Sequence, residues 1–204
     1  MCWIAKQYQT IWECFRRRIF LLFWTMTGSF LFLVISSAIF FSFRRDWLAQ
    51  IMAQVMQMFS QSDIIQDGVI SAWRLFLNNL RASFLMVVLG LIPFLFLPAF
   101  ALLENAVIIG VIGATGMDWK TFAVGILPHG IFEIPAILLA TTLGFYLCLQ
   151  LVLKIVSPKR KEISLKLAFS DTVRCYILVV VPLLLVAALI ESYITPWLLG
   201  FFVG

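Results

Sequence analysis

His129 and Glu133 lie four residues apart in an apolar stretch, Pro128-His129-Gly130-Ile131-Phe132-Glu133-Ile134-Pro135. On a helix that spacing puts imidazole and carboxylate on one face, one turn apart. A charged group in hydrocarbon costs about 2.5–3.5 kcal/mol on insertion scales unless it faces protein or water. The pair is therefore expected to point into the protein. Such groups serve proton relays and ion sites. The structural alternative stands beside that reading: His129 bonds a backbone group freed by Pro128 and Gly130, and Glu133 ties two helices together.

A metal site needs more ligands than this pair. The single histidine excludes the zinc-protease pattern of two histidines around a glutamate. Glu104, Asn105 and Glu191 would supplement the pair only if the fold gathers them. With Asn79 they complete the candidate polar cluster. No Gly-x-Ser-x-Gly elbow and no phosphate-binding glycine loop occurs. Cys2, Cys14, Cys148 and Cys175 have no metal-ligand spacing and are expected to be free thiols. The expectation is a protein without catalytic residues, cofactor or metal.

The elements that position these groups belong to a membrane protein. The chain is 63% hydrophobic and 12% charged, with mean hydropathy +1.04, against about 45–50% and about 25% in ordinary soluble domains. Its 204 residues predict one compact, all-α transmembrane bundle. The net charge of +5 does not indicate nucleic-acid binding, because the basic residues cluster at the ends of apolar runs.

The first span is expected at about 19–43. Its apolar core exceeds the roughly 7–15 residues of a signal peptide, so it is expected to stay uncleaved. The interval 46–81 is polar. Leu48, Ile51, Met52, Val55 and Phe59 recur in it at helical spacing, with Gln50, Gln54, Gln57 and Gln61 largely opposite, which predicts an amphipathic helix. A second is expected from Val69 to Leu80. Both either lie on the membrane surface or cap the bundle, or they offer a partner a docking face.

Ala82 to Gly116 is too long for one span, about 52 Å as a helix against a hydrocarbon core of about 30 Å. Glu104-Asn105 is the expected corner between spans at about 82–103 and 106–117, with Pro93 and Pro98 kinking the first. A fourth span is expected at 121–150, broken near mid-membrane at Pro128-His129-Gly130, with Pro128 opening a new helix. Ala136, Ala140 and Gly144 continue the face of His129 and Glu133. That small face is expected to pack on the segment carrying Gly110 and Gly113. A basic loop at 157–161, a surface helix at 163–175 and a final span at 176–197 complete five spans.

Four basic residues in 1–18 and six in 154–175 make ten of the fifteen. The positive-inside rule puts both segments in the cytoplasm and the C-terminus outside the plasma membrane. The alternative, a re-entrant hairpin at 105–127, reverses the later loops.

Three segments together resemble the stage II sporulation protein M family of prokaryotic membrane proteins: Phe76-Leu77-Asn78-Asn79-Leu80-Arg81, Leu103-Glu104-Asn105-Ala106-Val107-Ile108-Ile109-Gly110, and Leu127-Pro128-His129-Gly130-Ile131-Phe132-Glu133-Ile134-Pro135-Ala136. The resemblance covers about residues 70–150, and the Pro-His-Gly…Glu-Pro string is its most specific part. It carries over to Asn79, Asn105, Gly110, Pro128, His129, Gly130, Glu133 and Pro135. Ala106 departs from it, where the family commonly has glycine. The resemblance implies a non-enzymatic membrane scaffold that assembles with envelope-remodelling or export proteins. A peptidoglycan hydrolase or an export ATPase is the expected kind of partner, beside the lipid bilayer itself. The alternative is a small permease or transporter subunit with His129 and Glu133 on an ion or proton path.

Overall fold

The computed structural model describes residues 3–61, 65–66, 69–158 and 164–202. Lys159, Arg160, Lys161 and Ile163 of the expected basic loop and surface helix, and Cys2, lie outside the described residues.

The described elements are helices, joined by short turns, apart from one antiparallel pair of two-residue strands, β1 (Ile65–Gln66) and β2 (Val69–Ile70). Helices α1 (Trp3–Cys14) and α2 (Phe20–Phe43) join through a π-helical turn at Phe15–Ile19. Then come α3 (Arg45–Gln61), α4 (Ala72–Leu89), α5 (Pro98–Ala114) and α6 (Trp119–Val156). The last helical run is α7 (Leu165–Cys175), α8 (Val181–Leu189) and α9 (Thr195–Phe202), linked by π-helical turns at Tyr176–Val180 and Ile190–Ile194. Three runs are long and apolar enough to cross a membrane: Ala5–Phe43, Trp119–Val156 and Leu165–Phe202, with Pro98–Ala114 a shorter apolar helix.

The corner expected at Glu104-Asn105 is not there. Both residues lie within α5, where the Asn105 amide donates to the Ala101 carbonyl at 2.8 Å. A side chain that bonds back one turn needs no loop. The chain turns instead between Leu89 and Pro98, so the span expected at 82–103 is two elements. Pro93 offers no N–H to a continuing helix, and Pro98 suits the first turn of the next. Phe94 and Phe96 take positive φ (70° and 47°) in this turn, which bulky residues rarely adopt. The turn is held against α6: Phe96 stacks on Phe145 with centroids 5.0 Å apart, and the Cys148 thiol donates to the Ile92 carbonyl at 3.5 Å.

The break expected at Pro128-His129-Gly130 is also absent. Helix α6 runs unbroken for 38 residues with Pro128 and Pro135 inside it. Each proline removes one i→i−4 hydrogen bond. A full break in an apolar bundle would free several backbone groups with no water to meet them, so continuity is the cheaper outcome. Two further boundaries move. The second amphipathic helix begins at Ala72, after Val69 and Ile70 pair with β1. The expected surface helix at 163–175 is no separate element, because α7 feeds directly into the final span.

The tight crossings also differ from those expected. A Cβ on Gly144 would strike the Met86 carbonyl oxygen, and one on Gly90 would strike the Gly144 backbone. The α6 small face therefore packs on the end of α4. Gly110 meets α2 instead, where a Cβ would fall 2.7 Å from the Val34 carbonyl oxygen and onto the Ser37 hydroxyl. Gly113 is exposed, with only Phe122 near, at 3.9 Å. Ala136 and Ala140 are fully buried.

The largest core cluster joins Leu75, Met86, Ala140, Leu143, Val180 and Leu184 from α4, α6 and the last helical run. At one end of the bundle, Arg18 and Arg174 each stand 3.5 Å from the buried carboxylate of Asp171, tying the π-helical turn before α2 to α7. At the other end, Arg45 donates to the Ala114 carbonyl at 2.9 Å and seats α3 on α5.

Asp118 caps α6, accepting from the backbone N–H groups of Lys120 (2.9 Å) and Thr121 (3.1 Å) and from the Thr121 hydroxyl. These bonds, the Thr121 hydroxyl foremost, hold its carboxyl below the ordinary carboxylate range. The cap therefore stabilises above that range and is lost as pH falls through the lowered folded value. Asp118→Ala is expected to lower the thermal midpoint in detergent at neutral pH, and the gap from the parent to close below about pH 4. A gap unchanged at acidic pH would remove the carboxylate from the cap.

Candidate functional site

The continuity of α6 positions the site. Because no break intervenes, His129 and Glu133 keep their one-turn spacing and face the same side. Helix α4 lies alongside, and the Asn79 amide donates to Glu133 Oε1 at 3.2 Å. The last helical run contributes Glu191 from its π-helical turn at Ile190–Ile194. Its Oε2 stands 4.0 Å from His129 Nε2. One ligating atom from each of His129, Glu133 and Glu191 lies within 4.8 Å of the other two. His129 Nδ1 is buried and has no hydrogen-bond partner.

A cavity of about 300 Å³ opens beside these groups, lined by polar Asn78, Asn79 and Asn105 as well as by the three. A second cavity of about 340 Å³ shares Asn79, Asn105 and Glu133 and adds Glu104. Glu133 thus stands at the junction of the two. The lining carries several amides and carboxylates but no lysine or arginine among the described residues.

The expected cluster is thus assembled in part. His129, Glu133, Asn79 and Glu191 converge. Asn105 lines the cavity but spends its amide on its own helix. Glu104 is exposed and reaches only the neighbouring cavity. Gly130 is buried but does not loosen the helix: a Cβ there would sit 3.6 Å from Ile126 and Ile134, an ordinary contact. Pro128 and Gly130 therefore mark no break.

Two polar features had no sequence signal. Asp171 sits in a segment with ordinary amphipathic spacing, and nothing local pairs it with Arg18, 153 residues away. Ser83 and the Tyr176 hydroxyl meet at 2.9 Å, and Tyr176 donates to the Leu80 carbonyl at 3.0 Å. Cys14, Cys148 and Cys175 are free thiols.

No solved structure matches this chain. An uncharacterised protein of Methanocaldococcus jannaschii is 35% identical over 123 residues, which cover 58% of this chain and 67% of that protein. Residues 19–196 match the family described as stage II sporulation protein M. That match takes in the Asn79, Asn105 and Pro128-to-Pro135 positions as well as the Glu191-bearing helix, so the protein belongs to the stage II sporulation protein M family.

Proposed function

We propose that this protein is a non-enzymatic, multi-pass subunit of a plasma-membrane assembly, and that α3 is its docking face. The observation that carries the reading is how α3 is mounted. Leu48 and Val55 are buried, and Leu48 packs with Phe41, Val111 and Ala114. Arg45 bonds the end of α5. Gln50 and Gln54 are left exposed on the other side. A helix too polar for hydrocarbon is thereby held rigidly at the bundle end, which lowers the ordering cost of binding a partner.

In this reading the chain crosses five times: α2, α4, α5, α6 and the final run. The α4–α5 hairpin supplies the two short crossings. The basic segments at 1–18 and 154–175 then share the cytoplasmic side, and α3 and the C-terminus lie outside. A peptidoglycan-remodelling enzyme or an export machine is the class of partner that fits an outward docking face.

Crosslinking and co-purification from native membranes tests this. Gln50→Arg with Gln54→Arg is expected to abolish recovery of the partner while leaving the abundance of this protein unchanged. Undiminished recovery would remove α3 from the interface. The cavity beside His129 and Glu133 favours a second reading, an ion or proton path. Flux into proteoliposomes that vanishes in Glu133→Gln, with the variant folded, would select it over the scaffold.

A further inference from the structure

We propose that His129, Glu133 and Glu191 form a binding site for a divalent first-row transition metal cation, inside the helical bundle. The site is independent of the docking role of α3.

Charge is the first argument. Two carboxylates have oxygens within 4.8 Å of each other, and no lysine or arginine among the described residues lines the cavity they share. Like charges that close repel strongly in a medium of low dielectric constant. A divalent cation cancels both charges and leaves a neutral site with imidazole as third ligand.

Geometry is the second. Donors around a tetrahedral zinc with bonds of about 2.0–2.1 Å stand about 3.3 Å apart. The observed separations, 4.0 Å for one pair and up to 4.8 Å for the set, close by small side-chain rotations. The imidazole nitrogen that faces Glu191 is Nε2; the other, Nδ1, is buried without a partner and carries the proton when Nε2 ligates.

The supporting structure is the third. The Asn79 amide at 3.2 Å orients Glu133, as groups behind metal ligands commonly do. Glu191 rides on a π-helical turn, a local departure frequent at functional sites. Three protein ligands facing a cavity of about 300 Å³ leave a coordination position open. One imidazole with two carboxylates suits zinc or manganese better than an all-oxygen cation site would.

The test uses the full chain in detergent after chelator treatment. Calorimetric titration with Zn²⁺ or Mn²⁺ is expected to give one equivalent bound, with a raised thermal midpoint. Co²⁺ is expected to give an absorption band altered in His129→Gln. Glu191→Gln and Glu133→Gln are each expected to weaken binding at least tenfold. Glu133→Gln keeps an acceptor for Asn79, so it tests the ligand even if the other variant does not fold. Glu104→Gln is expected to bind as the parent does. Absence of saturable binding, equal binding in Glu133→Gln, or binding of Ca²⁺ and Mg²⁺ alone would overturn the site. Loss of partner recovery in the α3 variant is unaffected by any of these results, so the two proposals fail separately.

Discussion

Gly144→Ala is expected to destabilise the protein by about 3 kcal/mol, near the upper end for forcing extra atoms into a packed interior. The atoms in the way are the Met86 backbone carbonyl and, at 3.0 Å, the closed ring of Pro98. Neither can swing aside as a long side chain would, so α4 and α6 must separate. The movement reaches further than one contact, because Met86 also accepts from the buried Thr141 hydroxyl at 3.4 Å. Gly90→Ala meets the Gly144 backbone from the opposite side and should cost a similar amount. The double variant should cost less than the sum, since either change alone already opens the same crossing. Gly113→Ala is the control, expected within about 0.5 kcal/mol of the parent as for other unencumbered surface sites. Thermal and denaturant unfolding in detergent reads all four. A Gly144→Ala midpoint equal to that of Gly113→Ala would mean that the two helices do not approach this closely.

The second large effect is expected at Asn79. Asn79→Leu removes the amide that donates to Glu133 and leaves a partly buried carboxylate short of a partner, which costs about 1–3 kcal/mol. Adding Glu133→Met should recover most of the loss, because an apolar pair needs no hydrogen bond. Asn79→Asp should be worse than Asn79→Leu, since it sets a third carboxylate beside Glu133 and Glu191. Unfolding midpoints for the two single variants and the double give the coupling directly. Additive losses in Asn79→Leu/Glu133→Met would show that the two side chains do not act as a pair.

Both effects concern contacts whose participants were partly legible beforehand. The periodicity of Ala136, Ala140 and Gly144 identified a small face, and that face is buried. Its partner was not identifiable: Gly110 and Gly113 have the same composition signal as Gly90, yet only Gly110 and Gly90 stand at close crossings. Small residues permit close approach but do not say which helix approaches. Asn79 and Glu133 were both singled out, but their hydrogen bond joins residues 54 apart.

The prolines teach a related lesson. Pro93 lies in the turn after α4 and Pro98 opens α5, while Pro128 and Pro135 lie inside α6. All four lack the same N–H. The difference is what surrounds them. Around Pro93 the chain turns back and is held by Phe145 and Cys148. At Pro135 the neighbouring Ala136, Leu138 and Leu139 are buried against other helices, and packing holds the helix together across one missing bond. No local propensity separates the two cases.

Composition and apolar run length by themselves determined that this is a membrane protein built of helices, the resemblance of three segments pointed to its family, and spacing put His129 and Glu133 on one face. Those properties follow from residue type and the 3.6-residue turn, which are local. Only the tertiary structure decided that the chain turns at Gly90–Leu97 rather than at Glu104, that α6 runs through Pro128, and that Glu191 rather than Glu104 completes the polar cluster. Each of those outcomes is set by contacts between segments far apart in the chain, whose energies depend on which surfaces meet and leave no trace in any one segment.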